Sequence, residues 1–168
     1  MNLDTLAQKY ITGDILRSLP KREFGKYMSQ PAEFLVKEEL ENLGVIVFSE
    51  GEGKASAGHY DLYTDSNYRI QVKFRSVDGV TPVSKQIYLH NWRQKLQYDL
   101  NDFECIIFVL CHKDQREPSD WTLCFVKSED LIDPADGSKI LQNVPPSVLK
   151  EGLDWKCKFL EHIQKNSS

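Results

Sequence analysis

The chain has 168 residues, 40% of them hydrophobic, with 21 Lys and Arg against 25 Asp and Glu for a net charge of −4. That length suits one domain with a real core and is short for two, and the negative balance excludes nucleic-acid binding through global charge, leaving only a local basic surface for it. No run of about 18 apolar residues occurs, and MNLDTLAQKY lacks the basic start and apolar stretch of a secretory leader, so a cytoplasmic protein with no membrane partner is expected.

In chain order, Leu3, Leu6, Ala7 and Tyr10 stand at helical spacing, broken at Gly13-Asp14 and again at Pro20 before the basic cluster Lys21, Arg22 and Lys26. Residues 1–28 read as a helical N-terminal extension packed on a single domain spanning 29–168. With Gln30 as N-cap, Pro31 opens a second helix; Ala32, Val36, Leu40 and Leu43 form its buried stripe and Gly44 stops it. Glu33 falls in its first turn. Val45 to Phe48 is a short apolar strand, followed by SEGEGKASAG, a small-residue loop expected to be mobile.

The stretch His59 to Ser76, HYDLYTDSNYRIQVKFRS, reads as a β-hairpin. Tyr68, Ile70, Val72 and Phe74 alternate with Arg69, Gln71, Lys73 and Arg75, the period of a half-buried strand, while His59, Asp61 and Tyr63 alternate with Tyr60 and Leu62. Asp65-Ser66-Asn67 supplies the turn, with Asn67 suited to the left-handed position of a three-residue loop. Pairing 62 with 70, and so 61 with 71, buries one apolar face from both strands. Asp61, Gln71 and Lys73 then converge on the other.

Beyond a loop at VDGVTPV, Gln86 to Leu89 is a candidate strand, and Asn91 is placed to cap a helix through about Asp102 with Trp92, Leu96 and Leu100 inward. Cys105 to Cys111, CIIFVLC, is an unbroken apolar run, the mark of a central strand covered on both faces. Trp121 to Lys127 reads as a further strand. A last amphipathic helix begins near Ser147 or Asp154 and runs to Gln164, with Trp155, Phe159, Leu160 and Ile163 on its apolar face. Cys105, Cys111, Cys124 and Cys157 lie in apolar or strand-like runs, with neither CxxC spacing nor a histidine at ligand distance, and read as buried free thiols. This order of elements indicates an α/β domain with a central mixed β-sheet flanked by helices.

A carboxylate, an amide oxygen and a lysine held together suit a hard divalent cation: Asp61 and Gln71 can offer oxygens to Mg2+ (or Mn2+), and Lys73 can orient or activate an attacking water. A strand with Asp followed by a strand reading (Asp/Glu)-x-Lys resembles the PD-(D/E)XK nuclease superfamily. Here the motif is Asp61, then Gln71-Val72-Lys73, and PAEFLVKEELENLG resembles that family's opening helix, so the likeness runs from Pro31 to about Ser76. The resemblance implies a restriction-endonuclease-like core of order αβββαβ and a metal-dependent endonuclease acting on double-stranded DNA. It makes Asp61, Gln71 and the Val72 carbonyl metal ligands, Lys73 the water-activating group and Glu33 a second acid. No proline directly precedes Asp61. Glutamine replaces the acidic residue of the last motif, which removes a negative charge and weakens metal affinity; this QxK layout is similar to that of cyanobacterial intron-encoded homing endonucleases.

Competing accounts stand beside these. Alternating polar residues that merely face solvent explain the triplet taken alone, a helix-terminus role explains Glu33, and His59 is assigned no function. Lys54, Arg69, Arg75, Lys85, Arg93 and Lys95 are candidates for a phosphate-binding patch, or dispersed surface charge. The chief function expected is Mg2+-dependent DNA cleavage of homing, restriction or junction-resolving type, by a dimer or tetramer where both strands are cut. A non-catalytic nucleic-acid-binding or assembly module on the same fold, or an RNA-processing nuclease, is the alternative.

Overall fold

The computed structural model describes residues 2–6, 12–50, 60–89 and 97–166. Short helices α1 (Leu3–Leu6), α2 (Gly13–Ser18) and α3 (Lys21–Tyr27) lead into α4 (Ser29–Asn42). Gly13-Asp14 opens α2 rather than breaking a helix, because the Thr12 side chain accepts from the Ile15 N–H and caps it. Leu3, Leu16, Phe24 and Met28 join the same buried cluster as Ala32, Leu35, Val36 and Leu40 of α4. The expected N-cap at Gln30 is two residues late. Met28 flanks α4 through its main chain, accepting from the Ala32 N–H at 2.9 Å with no side-chain cap. Pro31 thus lies third in the helix, where its missing N–H costs nothing, and Glu33 lies fifth, past the first turn.

Among the described residues, nine strands follow: β1 (Val47–Ser49), β2 (Leu62–Thr64), β3 (Arg69–Val77), β4 (Ile87–Tyr88), β5 (Cys105–His112), β6 (Thr122–Lys127), β7 (Ile132–Asp133), β8 (Asp136–Ile140) and β9 (Asn143–Val144), then helices α5 (Pro146–Glu151) and α6 (Trp155–Asn166). Five of the strands form one mixed sheet in the order β1-β2-β3-β5-β6, with β3 and β5 parallel and the other neighbours antiparallel. Along β5 the alternation sorts side chains into two layers. Cys105, Ile107 and Val109 join Ile70, Val72 and Phe74 of β3 under α4 and Phe159 of α6, while Ile106, Phe108 and Leu110 face a second cluster with Tyr98, Phe103, Ile140, Val144 and Leu149 of α5. β5 is covered on both faces, as its unbroken apolar run requires.

The helix expected over 91–102 fails where it is described. Residues 97–99 run extended and turn at Leu100: Asp99 bridges Lys139, Leu100 N–H donates to the Ser138 carbonyl at 2.8 Å, and Tyr98 C=O accepts from Ile140 N–H at 2.9 Å. The Gln97 amide reinforces this by donating to Asp133 and to the Ile140 carbonyl, both at 2.7 Å. Main-chain groups committed to β8 cannot also close helical turns. Residues 91–96 of that expectation, with Asn91, Trp92 and Leu96, lie outside the described residues, as do Ala7 and Tyr10. Among the described residues, the second face of the sheet is covered by the β4-β9 and β7-β8 ribbons and α5. Of the four cysteines, Cys105, Cys111 and Cys124 are buried, but Cys157 is exposed, on the outer side of α6.

Both proposed starts of the final helix exist, as α5 and α6, separated by a turn at Gly152 that packs on β6. Gly152 C=O accepts from the Phe125 N–H at 3.0 Å, and an added Cβ would overlap the Phe125 carbonyl oxygen and lie 2.7 Å from Cys124 Sγ. The chain cannot yield there without parting α5 from the sheet. Gly152→Ala is therefore expected to destabilise the protein by about 2–3 kcal/mol, read as a lowered midpoint in urea; an unchanged midpoint would contradict the close approach.

Candidate active site

The site is built from the β2-β3 hairpin. Thr64 N–H donates to Tyr68 C=O at 3.0 Å and Asn67 N–H to Thr64 C=O at 2.9 Å, while Asn67 takes φ 60°, closing the three-residue loop expected at 65–67. Leu62 pairs with Ile70 and Tyr63 with Arg69. β2 begins only at Leu62, opposite Ile70, which leaves the Val72 N–H without a partner on that strand. The Asp61 carboxylate fills that place: Oδ2 accepts the Val72 N–H at 2.7 Å.

Gln71, 4% exposed, donates its amide Nε2 to the same Asp61 Oδ2 and to the Val72 carbonyl at 3.2 Å. Since both partners are acceptors, the amide must present its N–H group to them. Gln71 thus turns its nitrogen, not the oxygen envisaged from sequence, toward Asp61. Asp61 Oδ2 and Val72 O nevertheless converge on one electropositive point, and a half-turn of the amide exchanges its nitrogen for Oε1. Among the described residues, no group of three or more His, Cys, Asp or Glu is placed to hold a metal. With the amide so turned, the donors are one carboxylate, one main-chain carbonyl and one amide, all hard oxygens of low total charge. They fit a cation that keeps most of its water shell, as Mg2+ does.

Lys73, next along the same face of β3, is half-buried with Nζ 5.2 Å from the centroid of the Tyr98 ring. Burial lowers its pKa from the ordinary lysine value, against the opposing pull of the Asp61 carboxylate. Burial likewise raises Asp61, opposed by the Val72 N–H and by Lys73. The Glu33 carboxyl is pushed up to about 7, first by burial and then by Asp61, with Lys73 drawing it down. It therefore belongs electrostatically to this site and not to a helix terminus.

A carboxyl raised in the folded state binds more protons there than in the unfolded chain, so ionising it costs stability. Glu33 should favour folding at acid pH and withdraw that support as pH rises from about 4.5, its unfolded value, to about 7. Glu33→Gln should flatten the fall in melting temperature across this window. Parallel melting curves for the two proteins from pH 4.5 to 7 would show that the carboxyl is not perturbed.

Two residues of the site escaped the sequence reading. Glu50, just past β1, donates its N–H to Asp61 C=O at 2.9 Å, and its carboxylate raises both Asp61 and Glu33. Its signal was an acid directly ending the strand before the hairpin. Tyr98, 8% exposed, sits against Lys73, and burial and Asp61 push its phenol up to about 12.

The basic candidates separate. Arg69 is tied to Glu104, Nη2 to Oε1 at 2.6 Å. Arg75 spends its donors on the Tyr88 and Phe74 carbonyls, and burial lowers its pKa. Lys85 is exposed on the turn before β4. Lys54, Arg93, Lys95 and His59 lie outside the described residues.

Fold and site together define a mixed α/β protein with a central five-stranded sheet, at whose β2-β3 corner the buried Gln71 amide lies with the half-buried Asp61 carboxylate and Lys73. No protein-family model matches the chain, and no curated protein matches it. Among the described residues, no helix is long and apolar enough to cross a membrane.

Proposed function

We propose that the chain is a Mg2+-dependent endonuclease of PD-(D/E)XK type, with a restriction-endonuclease-like core, that hydrolyses phosphodiester bonds of DNA. The observation carrying this reading is the meeting of Asp61, Gln71 and Lys73 on one face of the hairpin, with a Glu33 carboxyl whose pKa is raised to about 7. Asp61, the Gln71 amide oxygen and the Val72 carbonyl would hold Mg2+ (or Mn2+), which when bound polarises the phosphate and acidifies a water. Lys73 orients the attacking water and places positive charge beside the oxyanion that forms as the water oxygen bonds to phosphorus. Glu33, poised near neutrality, accepts the proton that the attacking water loses, and the departing sugar oxygen takes a proton from solvent as its bond to phosphorus breaks. Tyr98 holds the Lys73 ammonium in place.

On double-stranded DNA, two copies each cut one strand, so the working form is a homo-oligomer. Its three buried free cysteines suit the reducing cytoplasm. Supercoiled plasmid incubated with the protein and Mg2+ should be nicked or linearised, and chelation should stop it. Intact plasmid, branched DNA and single strands in both Mg2+ and Mn2+ would overturn the proposal.

One observation favours a second reading, a non-catalytic nucleic-acid-binding or assembly module: the Gln71 amide already satisfies Asp61. That reading predicts DNA binding with no calorimetric signal for either metal. An RNA-processing nuclease is separated by competition between matched DNA and RNA duplexes.

A further inference from the structure

The face of the sheet that carries Gln71 and Lys73 continues across β2 and β1 as an aromatic shelf. Tyr63 pairs with Arg69 on one side and Phe48 on the other, so all three project to the same face as Gln71 and Lys73. The Phe48 and Tyr63 rings are stacked, with centroids 5.3 Å apart and planes at 28°, and Tyr60 meets Tyr63 edge-on at 6.2 Å. On the opposite face of the same strands, Val47, Leu62 and Ile70 are buried, whereas Phe48, Tyr60 and Tyr63 are each only half-buried. Aromatic cross-strand pairs stabilise a sheet by themselves. Tyr60 packs at the edge of the second apolar cluster, but among the described residues Phe48 and Tyr63 join neither cluster, so core packing does not account for these two rings on the face that also holds the site.

Successive same-face side chains on a strand stand about 7 Å apart, which puts the shelf one such step from Asp61 along β2 and from Gln71 along β3. A phosphate lying over Asp61 and Lys73 therefore has the base of an adjoining nucleotide within reach of the Phe48 and Tyr63 rings. A base paired and stacked in a continuous duplex cannot present its face to a flat aromatic surface; an unpaired one can, and aromatic stacking accepts any base.

We propose that Phe48, Tyr60 and Tyr63 form a stacking platform for an unpaired DNA base beside the phosphate held at Asp61 and Lys73, so that the preferred substrate is DNA with a single-stranded end or an unpaired nucleotide at the site rather than uninterrupted duplex. This rests on DNA being the ligand of that site.

The test is fluorescence anisotropy of a labelled DNA hairpin with a single-stranded overhang against the same hairpin made blunt, in chelator so that binding is read apart from cleavage. The wild-type protein should bind the overhang form more tightly. Tyr63→Ala should weaken that form by about tenfold, the expected loss of one base stack, and leave the blunt form unchanged, while Tyr63→Phe should keep the preference. Tyr63→Leu preserves apolar bulk for packing and should also lose it, which separates stacking from folding. Equal wild-type affinity for the two hairpins, or equal loss on both in Tyr63→Leu, overturns the platform. Overhang preference without cleavage of any DNA sinks the nuclease reading and leaves the platform standing; cleavage without the preference does the reverse.

Discussion

Lys73→Ala is expected to slow DNA cleavage by about 10²–10⁴-fold, the usual weight of a positioned proton-transfer or charge-stabilising group. The size of the effect follows from where the ammonium sits. It is half-buried between the Tyr98 ring, Asp61 and Glu33, where charge is poorly screened and no solvent cation is fixed in position to replace it. Its removal acts twice. The oxyanion loses its cation, and the Asp61 and Glu33 carboxyls, both held down by Lys73, rise further; for Glu33, already at about 7, a larger fraction is then protonated near neutrality. The pH–rate profile of residual activity should therefore shift to higher pH. Lys73→Arg should not restore the rate, because a planar fork does not fit a place shaped for a compact ammonium over an aromatic face. Single-turnover cleavage of plasmid at several pH values checks both claims. Full activity in Lys73→Ala would sink the catalytic reading.

The hairpin was legible in the sequence because its determinants are local. Alternation from Tyr68 to Arg75 sets which face is buried, Asn67 supplies the one residue that tolerates positive φ, and together they dictate the Leu62–Ile70 register. The β5 strand was equally plain, since seven apolar residues in a row leave no polar face. What stayed hidden depends on partners distant in sequence. Residues 97–99 carry no strand signal of their own and are extended because β8, about 40 residues later, takes up their main-chain groups; Tyr98 reaches Lys73 only through that pairing. The α4 start was misplaced because Met28 caps through its main chain, leaving Ser29 and Gln30 no side-chain signature. Cys157 was within reach of periodicity, lying two positions from the buried Trp155 and so on the far side of α6.

Gln71→Glu is the sharpest test of the corner where amide and carboxylate meet, because its effect should change sign with metal. In chelator the substitution replaces an N–H that donates to Asp61 Oδ2 and the Val72 carbonyl with a second carboxylate, inside a site 4% exposed at this residue and already ringed by Glu33 and Glu50. Losing a buried hydrogen bond and leaving its acceptors unmatched costs about 1–3 kcal/mol, with like-charge repulsion added. At low pH the new carboxyl is protonated and can donate to Asp61 as the amide did. The destabilisation should therefore be small in acid and deepen as pH rises. With Mg2+ the balance inverts: a second anionic oxygen beside Asp61 strengthens a site for a hard cation, and binding to the folded state alone stabilises it in proportion to the logarithm of ligand over dissociation constant. Melting temperatures at neutral pH should read below wild type in chelator, and added Mg2+ should raise the variant by more than it raises wild type. Equal shifts in the two proteins would mean that the cation does not meet position 71, and that the amide serves only to hold Asp61 against the end of the hairpin.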